Sequence, residues 1–223
     1  MGNMIELEAD DGHRFSAYQT EPRGPIKGSL VIVQEIFGLT SHIRRLCDNF
    51  ADEGYITVAP ALFDRAALNI VLNYDEVGTA RGRELRTKLG NDLPLRDIAA
   101  AIALLCERSS VAIIGECWGG SLAWLAATRL PGCLEAAICY YGGQISEFRN
   151  EKPQCPILMH FGNADSSIPP EAVAAIRKAH PYVATHLYPA GHGFNCQDRA
   201  TWHEPSAQLA HRRTLAFIEA VMD

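Results

Sequence analysis

Residues 111–120 read VAIIGECWGG. The apolar run at 111–114 is typical of a strand buried on both faces, and the small residues of 118–129 predict a helix that packs closely on a sheet. Cys117 lies between them with a glycine two residues before it and another two residues after it. This G-x-[S/C]-x-G pattern is that of a nucleophile elbow, where glycines relieve the crowding of a tight turn. Taken alone, Cys117 could instead be a small core residue.

Strands and helices alternate on both sides of this stretch. Strands are predicted at 4–8, 15–19, 29–34, 55–59, 111–115, 134–142, 156–162 and 185–189. Helices are predicted from Ser41 to Gly54 and at 75–89, 95–108, 118–129, 170–179 and 206–222, with 61–74 irregular. The alternation indicates an α/β protein with a mostly parallel central sheet and helices on both faces. Because repeats, low-complexity tracts and linkers are absent, we expect a single domain over residues 1–223.

Composition excludes several classes of protein. The net charge of −6 argues against binding nucleic acid or a membrane surface, and no apolar run approaches a membrane span. The start of the chain does not resemble a signal peptide. The glycines do not form a nucleotide-binding G-x-G-x-x-G or P-loop motif. The seven cysteines include no C-x-x-C pair, so we expect no metal site, and their apolar surroundings indicate reduced thiols and a cytoplasmic location.

Chemically capable side chains follow three of the predicted strands. Cys117 follows 111–115, Asp165 follows 156–162, and His192 follows 185–189 within a G-H-G sequence. The carboxyl ends of parallel strands meet at one edge of a sheet, so these residues are expected to come together. Their order along the chain is that of the α/β-hydrolase triad, with Asp165 orienting His192. Asp165 could also be a turn residue, and an isolated loop histidine is usually solvent-facing.

At these residues the chain resembles the dienelactone hydrolase family, α/β-hydrolases with a cysteine nucleophile. The resemblance implies that Glu35 contacts the resting thiol and yields when substrate arrives. It also implies an oxyanion hole made by the backbone N–H groups of Ile36 and Trp118, and a substrate carboxylate held by Arg65. Glu35 could otherwise be a buried acid, and Arg65 a surface residue. The matching stretches are VIVQEIFG (31–38), GYITVAPALFDR (54–65), VAIIGECWGG (111–120), ICYYGG (138–143), HFGNAD (160–165) and AGHGF (190–194).

Two positions depart from the family pattern. The second carboxylate-binding arginine of the family belongs four residues after the histidine, where this chain has Cys196; Arg199 is nearby. Glu116 places a carboxylate beside the nucleophile, which would raise the pKa of the thiol if it pointed inward. The side chain of Trp118 either packs under the helix or forms a wall of the pocket.

The sequence therefore predicts a hydrolase that opens a lactone or cleaves an ester, with Cys117, Asp165, His192 and Glu35 catalytic and without cofactor or metal. In this mechanism His192 serves as base and then as acid, and an acyl-thioester forms on Cys117. Carboxymethylenebutenolide is the first substrate expected. The alternatives are a broader carboxylesterase or thioesterase, and a binding or redox-sensing protein that uses Cys117. The expected partner is this small molecule, and the expected assembly is a monomer or a small homo-oligomer.

Overall fold

The computed structural model describes residues 2–130 and 132–222. Within them, eight strands and six helices alternate as the sequence predicts. The strands are β1 (Asn3–Glu8), β2 (Arg14–Thr20), β3 (Gly28–Val33), β4 (Tyr55–Pro60), β5 (Val111–Glu116), β6 (Leu134–Tyr140), β7 (Ile157–Gly162) and β8 (Ala184–Tyr188). The helices are α1 (Ser41–Asp52), α2 (Glu76–Leu89), α3 (Asp92–Cys106), α4 (Trp118–Arg129), α5 (Pro170–Ala179) and α6 (Glu204–Met222).

The strands form one sheet in the order β1-β2-β4-β3-β5-β6-β7-β8. The pairs β1–β2 and β2–β4 are antiparallel, and every later pair is parallel. This is the mostly parallel α/β-hydrolase architecture expected from the sequence. The carboxyl ends of β3, β5, β7 and β8 therefore lie along one edge of the sheet, and the loops that follow them carry the candidate site.

Helices cover both faces of the sheet. Every residue of β3, β4, β5 and β7 is buried, as expected of parallel strands between two helical layers. The α1 and α6 helices lie side by side, with the ring centroids of Phe50 and His211 5.3 Å apart. On the other side α3 packs against α4. Within the described residues, none of the helices combines the length and apolar character needed to span a membrane.

Three local features differ from the predicted elements. The α3 helix begins at Asp92, three residues earlier than predicted. Pro94 falls in its first turn, where backbone N–H groups have no acceptor within the helix, so the proline there breaks no helical hydrogen bond. The irregular stretch 61–74 contains a short 3₁₀ helix, Leu62–Arg65. The β6 strand ends at Tyr140 instead of continuing to residue 142, since Tyr141 adopts a left-handed backbone conformation with φ of 38°.

The expectation that all cysteines are reduced is wrong for one pair. Cys106 at the end of α3 and Cys133 just before β6 form a disulfide. Their Cα atoms are 6.3 Å apart, within the range that a disulfide spans. The two residues are separated by 27 positions, so sequence alone offered no pairing signal. Five cysteines, Cys117 among them, carry free thiols.

Candidate active site

Cys117 occupies the single residue between β5 and α4. Its φ of 55° and ψ of −115° place it in a strained conformation that a side chain other than glycine rarely adopts. The flanking glycines permit the turn, because a Cβ at Gly115 would collide with the carbonyl oxygen of Gly119 and one at Gly119 with that of Val33. The turn holds the thiol at the edge of the sheet, partly exposed, directly before the positive end of the α4 dipole.

The structure brings Cys117, His192 and Asp165 into contact. His192 Nε2 lies 3.1 Å from Cys117 Sγ, and His192 Nδ1 lies 2.8 Å from Asp165 Oδ2. The other carboxylate oxygen of Asp165 accepts hydrogen bonds from the backbone N–H groups of Ser167 (2.7 Å) and Ile168 (3.1 Å). Asp165 thus acts as a turn residue and also contacts the histidine. The arrangement has the geometry of a nucleophile, a base and the group that orients the base.

The surroundings of His192 favour its protonated form. Burial lowers its pKa, but Cys117 and the Asp165 carboxylate outweigh burial and raise that pKa to about 10. An imidazolium beside the sulfur stabilises negative charge there, which suits a nucleophile that attacks as thiolate.

A cavity of about 460 Å³ opens over the thiol. Ile36, in the loop after β3, and Trp118, the first residue of α4, both line it. The backbone N–H of Trp118 lies in the first helical turn, where the helix itself supplies no acceptor, so it is suited to bind an oxyanion. The Trp118 side chain is buried, with its indole N–H on Asn91 and its ring stacked on Phe63, as expected if it packs under the helix.

Glu35 lies beside the cavity but is not bonded to the thiol. Its carboxylate is buried, and Oε1 accepts a hydrogen bond from Arg199 at 2.9 Å. Its Oε2 is also buried and has no hydrogen-bond partner among the described residues. Burial, together with the nearby Glu116 carboxylate, raises the pKa of Glu35, and Arg199 opposes this. The contact of Glu35 with a resting thiol is therefore not seen, because Arg199 holds the carboxylate while the thiol faces His192.

Arg199 lies at the site, although the sequence left open whether it replaces the arginine missing at position 196. It lines the cavity, and its guanidinium lies over the rings of Phe37 and Tyr74, 5.6 and 5.9 Å from their centroids. Cys196 itself is buried. A buried thiol therefore occupies the position of the family's second arginine. The cation at the cavity comes instead from Arg199, three residues further along the chain.

Glu116 does not aim its carboxylate at the thiol. The carboxylate is fully buried and accepts hydrogen bonds from His42, Tyr141 and Asn195. Burial raises the pKa of Glu116, but His42 and the other donors outweigh it and lower that pKa. In turn burial lowers the pKa of His42, and Glu116 raises it to about 11. The two residues form a buried ion pair behind Cys117.

Arg65 is not placed at the cavity. It ends the 3₁₀ helix, and its guanidinium is occupied by two carboxylates, those of Asp97 (2.7–3.1 Å) and Asp11 (2.8–3.1 Å). Asp97 is completely buried, and the Arg65 side chain is 7% exposed. The prediction that Arg65 binds substrate is therefore corrected. Its guanidinium has a structural role: it compensates the buried charge of Asp97 and does not face the thiol.

Two other arginines line the cavity instead. Arg83 and Arg86 lie one turn apart on α2, and the ion pairs among the described residues include neither of them. Glu147 contributes one negative charge to the same cavity. The sequence predicted the helix but not the face it turns toward the thiol. The only sequence signal was the spacing of three, which places two cations on one side of a helix.

The described residues contain no group of three or more His, Cys, Asp and Glu side chains arranged to hold a metal ion. A second cavity, of about 250 Å³, lies between α1 and α6. His42 and Asn195 line it, but neither Cys117 nor His192 does. Of these two cavities, the one over Cys117 is the one that the thiol and the imidazole line.

Comparison with known proteins shows which family the chain is similar to. The model of the dienelactone hydrolase family matches residues 15–222. A carboxymethylenebutenolidase of Pseudomonas putida is 30% identical, with 96% of this chain and 94% of that protein covered. A Yersinia pestis protein provisionally given the same name is 32% identical, covering 95% of this chain and 84% of the relative. A Klebsiella pneumoniae crystal structure, provisionally named a dienelactone hydrolase, superposes with a TM-score of 0.86 at 30% identity, covering 97% of both chains.

Proposed function

The chain belongs to the dienelactone hydrolase family and hydrolyses an ester or lactone of a small molecule, and we propose that Cys117 is its nucleophile. The observation that carries this proposal is the Cys117–His192–Asp165 chain of contacts, at 3.1 and 2.8 Å, on the floor of the cavity. A thiol on an elbow, an imidazole within reach and a buried carboxylate behind it are the parts that nucleophilic acyl transfer needs.

In the proposed acylation step, the Cys117 thiolate attacks the carbonyl carbon and a C–S bond forms. The carbonyl oxygen becomes an oxyanion, which the backbone N–H groups of Ile36 and Trp118 stabilise by about 3 kcal/mol each. Collapse of this intermediate breaks the acyl C–O bond. The departing oxygen takes the proton of the His192 imidazolium, and a thioester remains on Cys117.

In the proposed deacylation step, neutral His192 takes a proton from water, which attacks the thioester. The C–S bond breaks, the acid is released, and the sulfur returns as a thiolate beside the imidazolium. Asp165 holds the imidazole in the tautomer that makes both steps possible. That Glu35 helps to activate the thiol when substrate arrives remains a proposal: one of its carboxylate oxygens has no hydrogen-bond partner among the described residues, and Arg199 holds the other.

We propose a small lactone that carries a carboxylate as substrate, with carboxymethylenebutenolide first. Support comes from Arg83 and Arg86, two cations on the cavity wall outside the ion pairs, and from Arg199, which lines the same cavity. A guanidinium binds a carboxylate with paired, charge-assisted hydrogen bonds. The runner-up is a carboxylesterase or thioesterase of broader range, which Glu147 in the same cavity would favour by opposing an anion.

Three further expectations remain proposals. We propose that residues 1–223 form one domain, since the sheet runs through strands from both ends of the chain. The cytoplasmic location remains a prediction, and the Cys106–Cys133 disulfide removes one of its grounds. A monomer or small homo-oligomer also remains a prediction.

The test compares Cys117→Ala and Cys117→Ser with the wild-type enzyme on a carboxylated lactone and on a neutral aryl ester. We expect no turnover by Cys117→Ala, little by Cys117→Ser, and unchanged circular dichroism for both. Turnover by Cys117→Ala at the wild-type rate would refute the nucleophile. A higher kcat/KM for the neutral ester would instead favour the broader esterase. Iodoacetamide labelling that is no faster at Cys117 than at the other thiols, without ester turnover, would favour a binding protein.

A further inference from the structure

The three triad residues belong to separate loops, so their contacts depend on what holds those loops together. Cys117 follows β5, Asp165 follows β7, and His192 follows β8. His192 lies in the loop 189–203, between the edge strand β8 and α6. A displacement of about 1 Å between reacting groups is enough to reduce a rate by up to 100-fold. A contact that ties this loop to the nucleophile elbow therefore bears directly on catalysis.

Glu116 makes such a contact. It directly precedes Cys117, and its Oε1 accepts a hydrogen bond of 2.6 Å from Asn195 Nδ2. Asn195 lies three residues after His192 in the same loop. The neighbour of the nucleophile is thus bonded to the loop of the base, independently of the contact between Cys117 and His192 themselves.

The other oxygen of Glu116 holds a side chain that packs on the imidazole. Its Oε2 accepts a hydrogen bond of 2.9 Å from the hydroxyl of Tyr141, whose ring centroid lies 5.1 Å from that of His192. Tyr141 is fully buried and has the unfavourable φ of 38°. Non-glycine residues keep such a conformation only where their surroundings enforce it. The hydrogen bond to Glu116 is one contact that holds the ring in place.

His42 of α1 completes the shell of Glu116. Its Nε2 lies 2.8 Å from Oε2, and both side chains are at most 3% exposed. The imidazolium supplies the positive charge that a buried carboxylate requires. With three donors on two oxygens, Glu116 is fully occupied in binding its neighbours and makes no hydrogen bond to the thiol.

We propose that Glu116 is a positioning residue of the triad, which holds Asn195 and Tyr141 so that the His192 imidazole stays within reach of the Cys117 sulfur. This inference rests on the proposed role of Cys117 and His192. Glu116 touches no reacting atom; it acts through the loop of His192 and through the ring that packs on it. The three donors explain why a carboxylate occupies this position, where a bulky apolar residue would provide no acceptor.

The variants separate the hydrogen bonds of Glu116 from its charge. In Glu116→Gln the carbonyl oxygen still accepts from His42 and Tyr141, and the amide N–H₂ faces Asn195, whose amide group turns to accept. We expect this variant to keep kcat within about threefold. Glu116→Leu has no acceptor, so we expect kcat to fall roughly 10- to 100-fold with KM nearly unchanged. NMR spectra of the folded variants should show the resonance of the His192 Nδ1 proton shifted or broadened, relative to the wild-type enzyme, in Glu116→Leu and unchanged in Glu116→Gln.

Asn195→Ala tests the same contact from the other side, with Gln197→Ala as its matched control in the same loop. We expect a fall in kcat of roughly tenfold for Asn195→Ala and none for Gln197→Ala. If Glu116→Leu does not fold, Asn195→Ala and Tyr141→Phe decide the question. Wild-type kcat in these variants, or an equal loss in Gln197→Ala, would overturn the positioning role. Cys117→Ala is assayed beside them. If Cys117→Ala is inactive, the proposed function stands even where the positioning role of Glu116 fails. If Cys117→Ala is active, the proposed function is refuted.

Discussion

Replacing Asp165 by asparagine should abolish most activity while leaving the fold intact. Oδ1 of Asp165 accepts hydrogen bonds from two backbone N–H groups, those of Ser167 and Ile168. In Asp165→Asn the side-chain oxygen must keep that position, because an amide N–H₂ there would face two donors. The N–H₂ group then points at His192 Nδ1, 2.8 Å away in the wild-type enzyme, and donates to it. The proton of neutral His192 is thereby forced onto Nε2, which faces the thiol.

A histidine in this tautomer cannot accept a proton at Nε2. It also loses the carboxylate that helps to raise its pKa to about 10, so the imidazolium is disfavoured as well. In a serine enzyme the corresponding change reduces kcat about 10⁴-fold, and we expect a loss of roughly 10³- to 10⁴-fold here. Stability should change little, since each hydrogen bond of the side chain has a replacement.

The assay is steady-state turnover of an aryl ester at several pH values, with thermal unfolding followed by circular dichroism. Asp92→Asn is the matched control, because Asp92 is 89% exposed on α3 and lies outside the cavity. A kcat for Asp165→Asn within tenfold of the wild-type value, in a folded protein, would refute the orienting role of Asp165.

Three more predictions concern charged side chains. Arg65→Met should lower the free energy of unfolding by about 3 kcal/mol in urea titrations, because it leaves the buried Asp97 carboxylate unpaired, while KM stays unchanged. Arg83→Gln should raise KM for a carboxylated lactone roughly tenfold but not for a neutral ester, and Arg81→Gln, on the same helix but outside the cavity, should change neither. His42 has a folded pKa of about 11, above its unfolded value of about 6.5, so its contribution to the free energy of unfolding should be lost as pH rises between these values. In urea titrations at several pH values, the free energy of unfolding of His42→Gln should depend less steeply on pH than that of the wild-type enzyme. An equally steep dependence would count against the ion pair.

Local patterns were enough to predict the elements and the elbow. The boundaries of α4 and α5 match the predicted ones, because the small residues 119–121, close after Cys117, and a proline at the first position of α5 mark where each helix begins. The start of α3 is not predictable in the same way, because a proline in the first turn resembles a helix stop when only the sequence is seen. The apolar residues around Tyr141 continue the strand pattern of β6, whereas the backbone conformation of Tyr141 follows from tertiary contacts.

The candidate site was predictable where it follows from the topology of the sheet. Cys117, Asp165 and His192 each follow a strand, and parallel strands bring such residues together. The partners of Arg65 come instead from α3 and from the turn between β1 and β2, so their approach depends on how distant elements pack. For the same reason the direction in which Arg83 faces could not be predicted.

The cluster around Glu116 could not be predicted either. His42 lies 74 residues from Glu116, on α1, and no sequence pattern links the two residues. The sequence indicated that a carboxylate beside the thiol was unusual, but whether it pointed inward depended on partners from three separate segments.

The central claim is that Cys117 carries the acyl group during turnover. The most direct measurement is rapid acid quenching of the enzyme with excess aryl ester, followed by intact-mass and peptide mass spectrometry. For the wild-type enzyme we predict a mass increase equal to one acyl group, located on the peptide that contains Cys117. The fraction of enzyme that carries the acyl group should be larger in a variant whose deacylation step is slowed. An enzyme that turns over the ester while its Cys117 peptide stays unmodified, or whose acyl group is found on another residue, would contradict the account.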